Sequence, residues 1–416
     1  MIPEWLANAE LTKVLEPIRN ILSSVRQSDV SFDDLCSSSP YHDWLRDTMC
    51  TRLATFIRKA DADIRVALKL SPEVQVSFIK RLSDFHNSLS HTFEFEIGGQ
   101  RMVYKPRSND SQELFSGLLG IFECCAGKVV SPGTVAIGDD FSIEHKAVSL
   151  ISVHSEERHY QLGLLAGLLY LVRGYDLHYE NVIFTQNELV FVDAECLLAP
   201  WGSGEWYLRD TGAFMGLSDQ HNDFWLKPPS VLHIPNFIPI QHTSDRREKE
   251  PALLGSTDCL DAFSDGISTV VSSLTKQKLT TILELISNFR NARLRFVFRD
   301  TVAYAQLLQR AVLTNFGNSS TEVFSYFLKT LGDNELGLRE IEASSLIGYD
   351  IPIFHHRPTE RGILQSGDSK KYHFPNTSFD LVKKHLNVTL NSGSDQLIAE
   401  VRALTVKHSS LQNAPI

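Results

Sequence analysis

The sequence lacks any pair of cysteines with the spacing of a zinc site or a redox motif. Its six cysteines form no CxxC pattern, and the adjacent Cys124 and Cys125 are poorly placed for a disulfide because neighbouring residues rarely reach the required geometry. Thiols stay reduced in the cytoplasm. We therefore expect a cytoplasmic protein with free thiols and no zinc site.

Excess positive charge and long apolar segments are also missing. The chain has 40 Lys and Arg against 50 Asp and Glu, a formal net charge of −10, so no general basic field attracts nucleic acid or an anionic membrane. The longest apolar run, 162–172, is too short to span a bilayer. The N-terminus lacks the basic start and apolar region of a signal peptide. We predict no nucleic-acid partner, no secretion and no membrane insertion.

Apolar residues make up 43% of the 416 residues, enough for a large core in two or three domains or lobes. Residues 91–105 alternate between apolar and polar around Gly98 and Gly99, which predicts a β-hairpin that ends at Lys105. Residues 156–173 are apolar around most of a helical circumference. They predict a helix that is buried in the middle of a lobe.

Three polar residues follow this predicted helix in an order typical of phosphoryl transfer. Asp176 and Asn181 lie five residues apart in a loop, and Asp193 comes after the next predicted hairpin. Protein kinases place a catalytic aspartate, an asparagine and a metal-binding aspartate in this order, downstream of a phosphate-binding lysine such as Lys105. Taken singly, such residues usually cap turns. Taken together, they favour phosphoryl transfer.

A second polar set occurs near residue 300. Residues 293–299 alternate, so their three arginines share one strand face. Asp300 fits the N-cap of a helix that begins at Thr301. Arg295, Arg299, a hydroxyl and a helix N-terminus together form a candidate phosphate site. An edge strand with solvated arginines explains the pattern equally well.

Three strings resemble the signature motifs of the dehydratase domain of class II, LanM-type lanthipeptide synthetases. YKPR at 104–107, DLHYEN at 176–181 and VDAE at 192–195 match the family's YKPR, DLHxEN and VDxE. The resemblance also includes DFHN at 84–87, Glu144, the R-x3-R-x-T pattern from Arg295 to Thr301 and DIP at 350–352. The dehydratase fold of that family is similar to lipid kinases.

The resemblance implies ATP and Mg²⁺ as cofactors and gives each matched residue a role. The residues that would bind the nucleotide are Lys105, Arg107 and Glu144. Those that would hold magnesium are Asn181 and Asp193. The substrate hydroxyl would be oriented or deprotonated by Asp176, with support from His178. Phosphate elimination would use Arg295, Arg299 and Thr301, and Asp84 and His86 would assist near the phosphates.

The implied fold class is α+β, with two lobes like a lipid or protein kinase and a mainly helical C-lobe. We predict an N-terminal helical segment at 1–82, an N-lobe at 83–150 and a C-lobe at 151–416 with an activation region at about 198–253. The implied activity is phosphorylation of Ser or Thr in a ribosomally made precursor peptide, followed by elimination to dehydroalanine or dehydrobutyrine. The alternatives are a kinase that works with a separate lyase and a non-catalytic scaffold for the precursor.

The sequence departs from the family's pattern in two places. Ser83 and residues 88–90 replace glycines that would let the backbone approach phosphate closely. The family's cyclase domain holds zinc through two cysteines and a histidine, but no cysteine follows Cys259. We therefore expect a stand-alone dehydratase, with ring closure left to a separate cyclase or another enzyme. Histidines such as His355 and His356 form no HxxxH or HExxH pattern and predict no metal site.

Overall fold

The computed structural model describes residues 39–148, 156–177, 181–202, 206–211, 232–233, 252–253, 257–299, 301–315, 317–332, 338–365, 367–395 and 397–401. Residues 1–38, most of the predicted activation region and His178 lie outside the described residues.

The described helices are α1 (Pro40–Ala67), α2 (Asp110–Ile121), α3 (Glu156–Leu171), α4 (Thr257–Ser272), α5 (Lys276–Asn288), α6 (Thr301–Thr314), α7 (Ser320–Leu331), α8 (Arg339–Leu346) and α9 (Ser378–Ser392). The described strands are β1 (Ser77–Arg81), β2 (Phe93–Ile97), β3 (Gln100–Lys105), β4 (Val129–Val130), β5 (Thr134–Ile137), β6 (Ser142–His145), β7 (Val182–Phe184), β8 (Leu189–Phe191), β9 (Leu232–His233), β10 (Ala252–Leu253), β11 (Leu294–Phe296), β12 (Phe354–His356), β13 (Gly362–Gln365) and β14 (Gly367–His373).

The first sheet along the chain is antiparallel and has its strands in the order β1-β2-β3-β6-β5. Gly98 and Gly99 make the turn between β2 and β3 with φ angles of 57° and 84°. Glycine adopts these left-handed conformations without a Cβ clash. The predicted hairpin that ends at Lys105 is therefore confirmed.

Helix α1 covers one face of this sheet. Phe56, Ala60 and Ile64 recur at every fourth position, lie on one side of the helix, and are buried against Phe93 and Tyr104. The apolar face of α1 thus belongs to the same core as the strand that ends at Lys105.

Strand β1 lies in the segment predicted to be helical, 1–82, so that prediction is wrong for Ser77–Arg81. The segment reads SFIKR, in which two apolar residues are adjacent and no alternation signals a strand. Its pairing with β2 provides the hydrogen bonds that decide its conformation. The sheet therefore begins before residue 83.

Helix α3 is buried around most of its surface, as its apolar sequence predicts. It packs closely against α4: a Cβ atom added to Gly163 would lie 2.1 Å from the backbone oxygen of Phe263. Only a residue without a Cβ atom fits this contact. The loop that carries Asp176 follows α3, so this packing fixes where the loop begins.

The strands nearer the C-terminus form an antiparallel sheet in the order β11-β12-β13-β14. Leu294 and Phe296 are buried, whereas Arg293 and Arg295 alternate with them on the other face. The alternation predicted for residues 293–299 is therefore confirmed. Helix α6 begins at Thr301 as predicted, although its predicted N-cap lies outside the described residues.

Helices and mainly antiparallel sheets are mixed along the described chain, and the pairs β4–β8 and β9–β10 are parallel. None of the helices in these ranges is both long enough and apolar enough to cross a membrane. The kinase-like two-lobed arrangement and the domain boundaries stay predictions.

Candidate active site

Lys105 lies at the end of β3 and is paired with Glu144 of β6. Its ammonium group is 2.7 Å from the Glu144 carboxylate, and the register of β3 and β6 places both side chains on one face of the sheet. Nζ of Lys105 also donates a hydrogen bond to the Val192 carbonyl, 2.6 Å away. Since Lys105 is only 6% exposed, these contacts hold it firmly. The lysine thus joins the sheet to the segment that carries Asp193.

Asp176 occupies an uncommon backbone conformation in the loop after α3. Its φ is 67°, a left-handed value that an aspartate tolerates better than most residues. Nδ2 of Asn181 donates to the Asp176 carbonyl over 3.0 Å, and the Leu177 N–H donates to the Thr211 carbonyl over 2.9 Å. These bonds fix the loop. They also turn the Asn181 amide so that its Oδ1 points away from the Asp176 carbonyl.

Two arginines and two carboxylates form a single charged network. The Arg107 guanidinium contacts both Asp193 and Glu195, and Glu195 also contacts the Arg295 guanidinium. The Arg295 N–H donates to the Glu195 carbonyl over 3.0 Å, which joins the backbones as well. We call Arg107, Asp193, Glu195 and Arg295 the arginine–carboxylate network. It links the predicted metal ligand Asp193 to the predicted elimination residue Arg295.

The network keeps Asp193 ionised. Burial alone would raise the pKa of this carboxyl group, but the charges of Arg107, Lys105 and Arg295 lower it below its ordinary value. A carboxylate that keeps its charge when enclosed is suited to a hard divalent cation.

The loop that carries Asp176 is also tied directly to β11. The Tyr175 hydroxyl donates to the Arg295 carbonyl over 2.6 Å, and the Cys196 thiol lies 3.7 Å from Oδ2 of Asp176. A shift of β11 would therefore move the loop that carries Asp176.

The turn around residue 86 places one predicted assisting residue beside the network. Nδ1 of His86 lies 2.9 Å from the Ile351 carbonyl. Burial, followed by the nearby charge of Arg295, lowers the pKa of His86 to about 3. Asp84 is exposed. Burial raises the pKa of Tyr349 to about 12, and the charge of Asp84 acts in the same direction. The structure thus places His86 near Arg295 and Asp84 near Tyr349.

Arg299 has a different carboxylate partner from Arg295. Nε of Arg299 donates to Glu342 over 2.6 Å, and the same Glu342 oxygen accepts the Tyr304 hydroxyl over 2.7 Å. Glu342 is completely buried. Thr301 begins α6 with a half-buried side chain. The candidate phosphate site of Arg295, Arg299 and Thr301 stays a prediction.

Glu195 and Glu342 have no predicted role, although in the structure they are the carboxylate partners of Arg295 and Arg299. Glu195 follows Asp193 by two residues within the VDAE string, so its position in this motif could have indicated a role at the site. Glu342 has no such signal because its partner Arg299 is 43 positions away. Only the fold brings these two side chains together.

Comparison with known protein families identifies the chain at the level of a family. The model described as "Domain of unknown function (DUF4135)" matches residues 46–250 and 241–357, which together make up well over half of the chain. The chain belongs to this family. DUF4135 is associated with lanthipeptide synthetases, and its matched range contains all the residues of the arginine–carboxylate network. No curated protein matches the chain.

Proposed function

We propose that this DUF4135 protein is an ATP- and magnesium-dependent dehydratase of Ser and Thr residues in a ribosomally made precursor peptide. It would phosphorylate the hydroxyl and then eliminate the phosphate, which leaves dehydroalanine or dehydrobutyrine. We also propose a two-lobed, kinase-like arrangement around the site. The observation that carries the proposal is the arginine–carboxylate network, in which Glu195 joins the Arg107–Asp193 pair to Arg295.

The side chains around Asp193 suit a magnesium nucleotide. The ionised Asp193 carboxylate and Oδ1 of Asn181 are oxygen ligands of the kind that Mg²⁺ prefers. The backbone N–H of Val192 donates to the Asn181 carbonyl over 2.9 Å, so both ligands lie at the same end of the β7–β8 pair. Magnesium, when bound, neutralises charge on the transferring phosphate. Lys105 adds a fixed cation, which donates to the carbonyl of Val192 next to Asp193.

The phosphorylation half needs a group that receives or orients the proton of the attacking hydroxyl. Asp176 fits this role because its position is set by the bonds from Asn181 and from the backbone of Leu177. A fixed carboxylate holds the hydroxyl in line with the phosphate without a further loss of entropy.

The elimination half needs cations that stabilise the departing phosphate. Glu195 balances the charges of Arg107 and Arg295 in the structure. A phosphate dianion on the peptide would compete with Glu195 for both guanidinium groups, which bind phosphate through paired hydrogen bonds. The same network therefore serves both halves of the proposed reaction.

The test is the intact mass of candidate precursor peptides, encoded near the gene, after incubation with the protein, ATP and Mg²⁺. Loss of one water for each modified residue supports the proposal. A stable gain of one phosphate would instead identify a kinase that works with a separate lyase. Unchanged peptides that nevertheless bind the protein would identify a scaffold.

Two variants separate the halves of the reaction. Asp176→Asn keeps the shape of the side chain but removes the carboxylate, so we expect neither phosphorylation nor dehydration. Arg295→Ala should still phosphorylate the peptide, and the phosphopeptide should accumulate. Normal dehydration by either variant would contradict the role given to that residue. Urea unfolding of both variants controls for loss of folded protein.

A further inference from the structure

Strand β12 presents one histidine to the side of the sheet on which Arg295 lies. Phe354 and His356 are buried in the sheet's core face, whereas His355 between them is half-buried on the opposite face. His355 is the direct cross-strand partner of Arg295 on β11. Directly opposed residues in an antiparallel pair have Cβ atoms about 5 Å apart. His355 is thus the nearest sheet neighbour of the predicted elimination arginine.

Several cations face His355 from different elements. Burial has the largest effect on its pKa, and the charges of Arg295, Arg293 and Arg107, together with the nearby His356, act in the same direction and bring the pKa to about 3. Arg107 comes from the segment after β3, while Arg293 and Arg295 belong to the β11 segment. The imidazole is therefore neutral at pH 7 and can accept a proton.

His86 also contributes to this group, since its charge state is affected by both His355 and Arg295. Nδ1 of His86 is engaged with the Ile351 carbonyl. The ring of His355, in contrast, makes no side-chain hydrogen bond to the residues that the structure describes, and the residue is half-buried. Both imidazoles thus lie within the electrostatic influence of the Arg295 and Arg107 guanidinium groups.

We propose that His355 is a catalytic residue of the elimination half, where it takes the proton from Cα of the phosphorylated Ser or Thr. This inference rests on the proposed function. The electron pair of the Cα–H bond forms the Cα=Cβ double bond, and the Cβ–O bond breaks with its pair leaving on phosphate. The imidazolium then gives the proton to the departing phosphate, so His355 ends the cycle neutral and atoms and charge balance.

Phosphorylation itself would prepare this step. In the free protein the surrounding arginines oppose protonation of His355. A phosphate dianion bound between Arg295 and Arg107 offsets these charges and makes the imidazole more basic. The histidine would therefore become an effective base only after the first half of the reaction has placed a phosphate beside it.

The variants His355→Asn and His355→Gln test the proposal, since both remove the base but keep a polar side chain at a half-buried position. With a peptide that the parent protein dehydrates, we expect phosphorylation near the parental rate and accumulation of phosphopeptide. With that phosphopeptide as substrate and ADP and Mg²⁺ present, kcat for elimination should fall about a hundredfold or more, with little change in KM. His145→Asn, at an exposed histidine of β6, is the matched control.

Three results would overturn the inference. Elimination at the parental rate in both variants would exclude His355 from the chemistry, and a raised KM with unchanged kcat would reduce it to a phosphate contact. A full loss of elimination in His86→Asn without any loss in the His355 variants would assign the base to His86. If the parent protein phosphorylates but never dehydrates, the proposed function itself has failed. Circular dichroism and urea unfolding confirm that the variants compared are folded.

Discussion

Replacement of Lys105 by methionine should destabilise the protein as well as remove phosphorylation. Lys105 and Glu144 are both almost completely buried, and they are 2.7 Å apart. The other carboxylate oxygen of Glu144, Oε1, makes no hydrogen bond within the described residues. Lys105→Met would therefore leave a buried carboxylate without its cation. Breaking a buried ion pair in this way costs about 3–5 kcal/mol of the free energy of unfolding.

A double-mutant cycle separates this structural cost from catalysis. Glu144→Gln removes the charge but keeps the shape of the side chain, so the double variant Lys105→Met/Glu144→Gln has no uncompensated buried charge. We expect the double variant to recover most of the stability lost in Lys105→Met. We do not expect it to recover phosphorylation, because the cation that would bind the ATP phosphates is still missing.

The assays are urea unfolding followed by fluorescence and ATP-dependent phosphorylation of a peptide that the parent protein modifies. The single variant Glu144→Gln closes the cycle and gives the interaction energy of the pair. A free energy of unfolding for Lys105→Met within about 0.5 kcal/mol of the parent would refute the buried pair, since only surface changes have effects this small. Phosphorylation by the double variant at the parental rate would refute the nucleotide-binding role of Lys105.

Three further predictions concern stability. Burial raises the pKa of Asp350 to about 6. Its contribution to the free energy of unfolding is therefore complete below the unfolded pKa of about 4 and is lost as the pH rises through 6. Unfolding experiments at different pH should show this loss in the parent and a flatter profile in Asp350→Asn. Gly163→Ala places a Cβ atom 2.1 Å from the Phe263 carbonyl oxygen and should lower the free energy of unfolding by about 1–3 kcal/mol, whereas Gly120→Ala, where the added atom meets nothing within 4 Å, should not. Arg299→Met removes a cation that lies 2.6 Å from the fully buried Glu342 and should cost about 3–5 kcal/mol in urea unfolding. A variant as stable as the parent would contradict the pair.

The elements with a regular sequence pattern could be predicted from the chain alone. The β-hairpin that ends at Lys105 and the buried helix α3 are both confirmed. The hairpin is signalled by alternation with a period of two, and the helix by an apolar run that is too long for a single strand. Strand β1 was not predictable in this way, since SFIKR has no period of two and becomes a strand only by pairing with β2.

The candidate site is also predictable from the sequence only in part. The YKPR, DLHYEN and VDAE strings indicate which residues carry the chemistry, because residue type and spacing are properties of the sequence. The charge states and the partners of these residues cannot be predicted in this way. Asp193 is kept ionised by arginines that are remote in sequence, and Arg299 is neutralised by a glutamate 43 positions away.

The sequence by itself determined the regularly patterned elements, the family and most of the candidate catalytic residues, since these depend on composition, period and spacing. Only the tertiary structure decided that Glu195 joins Arg107 to Arg295 and that His355 lies opposite Arg295. Electrostatic contacts depend on distances of a few ångströms. Those distances arise from the register of β11 with β12 and from the packing of β3 beside the VDAE segment.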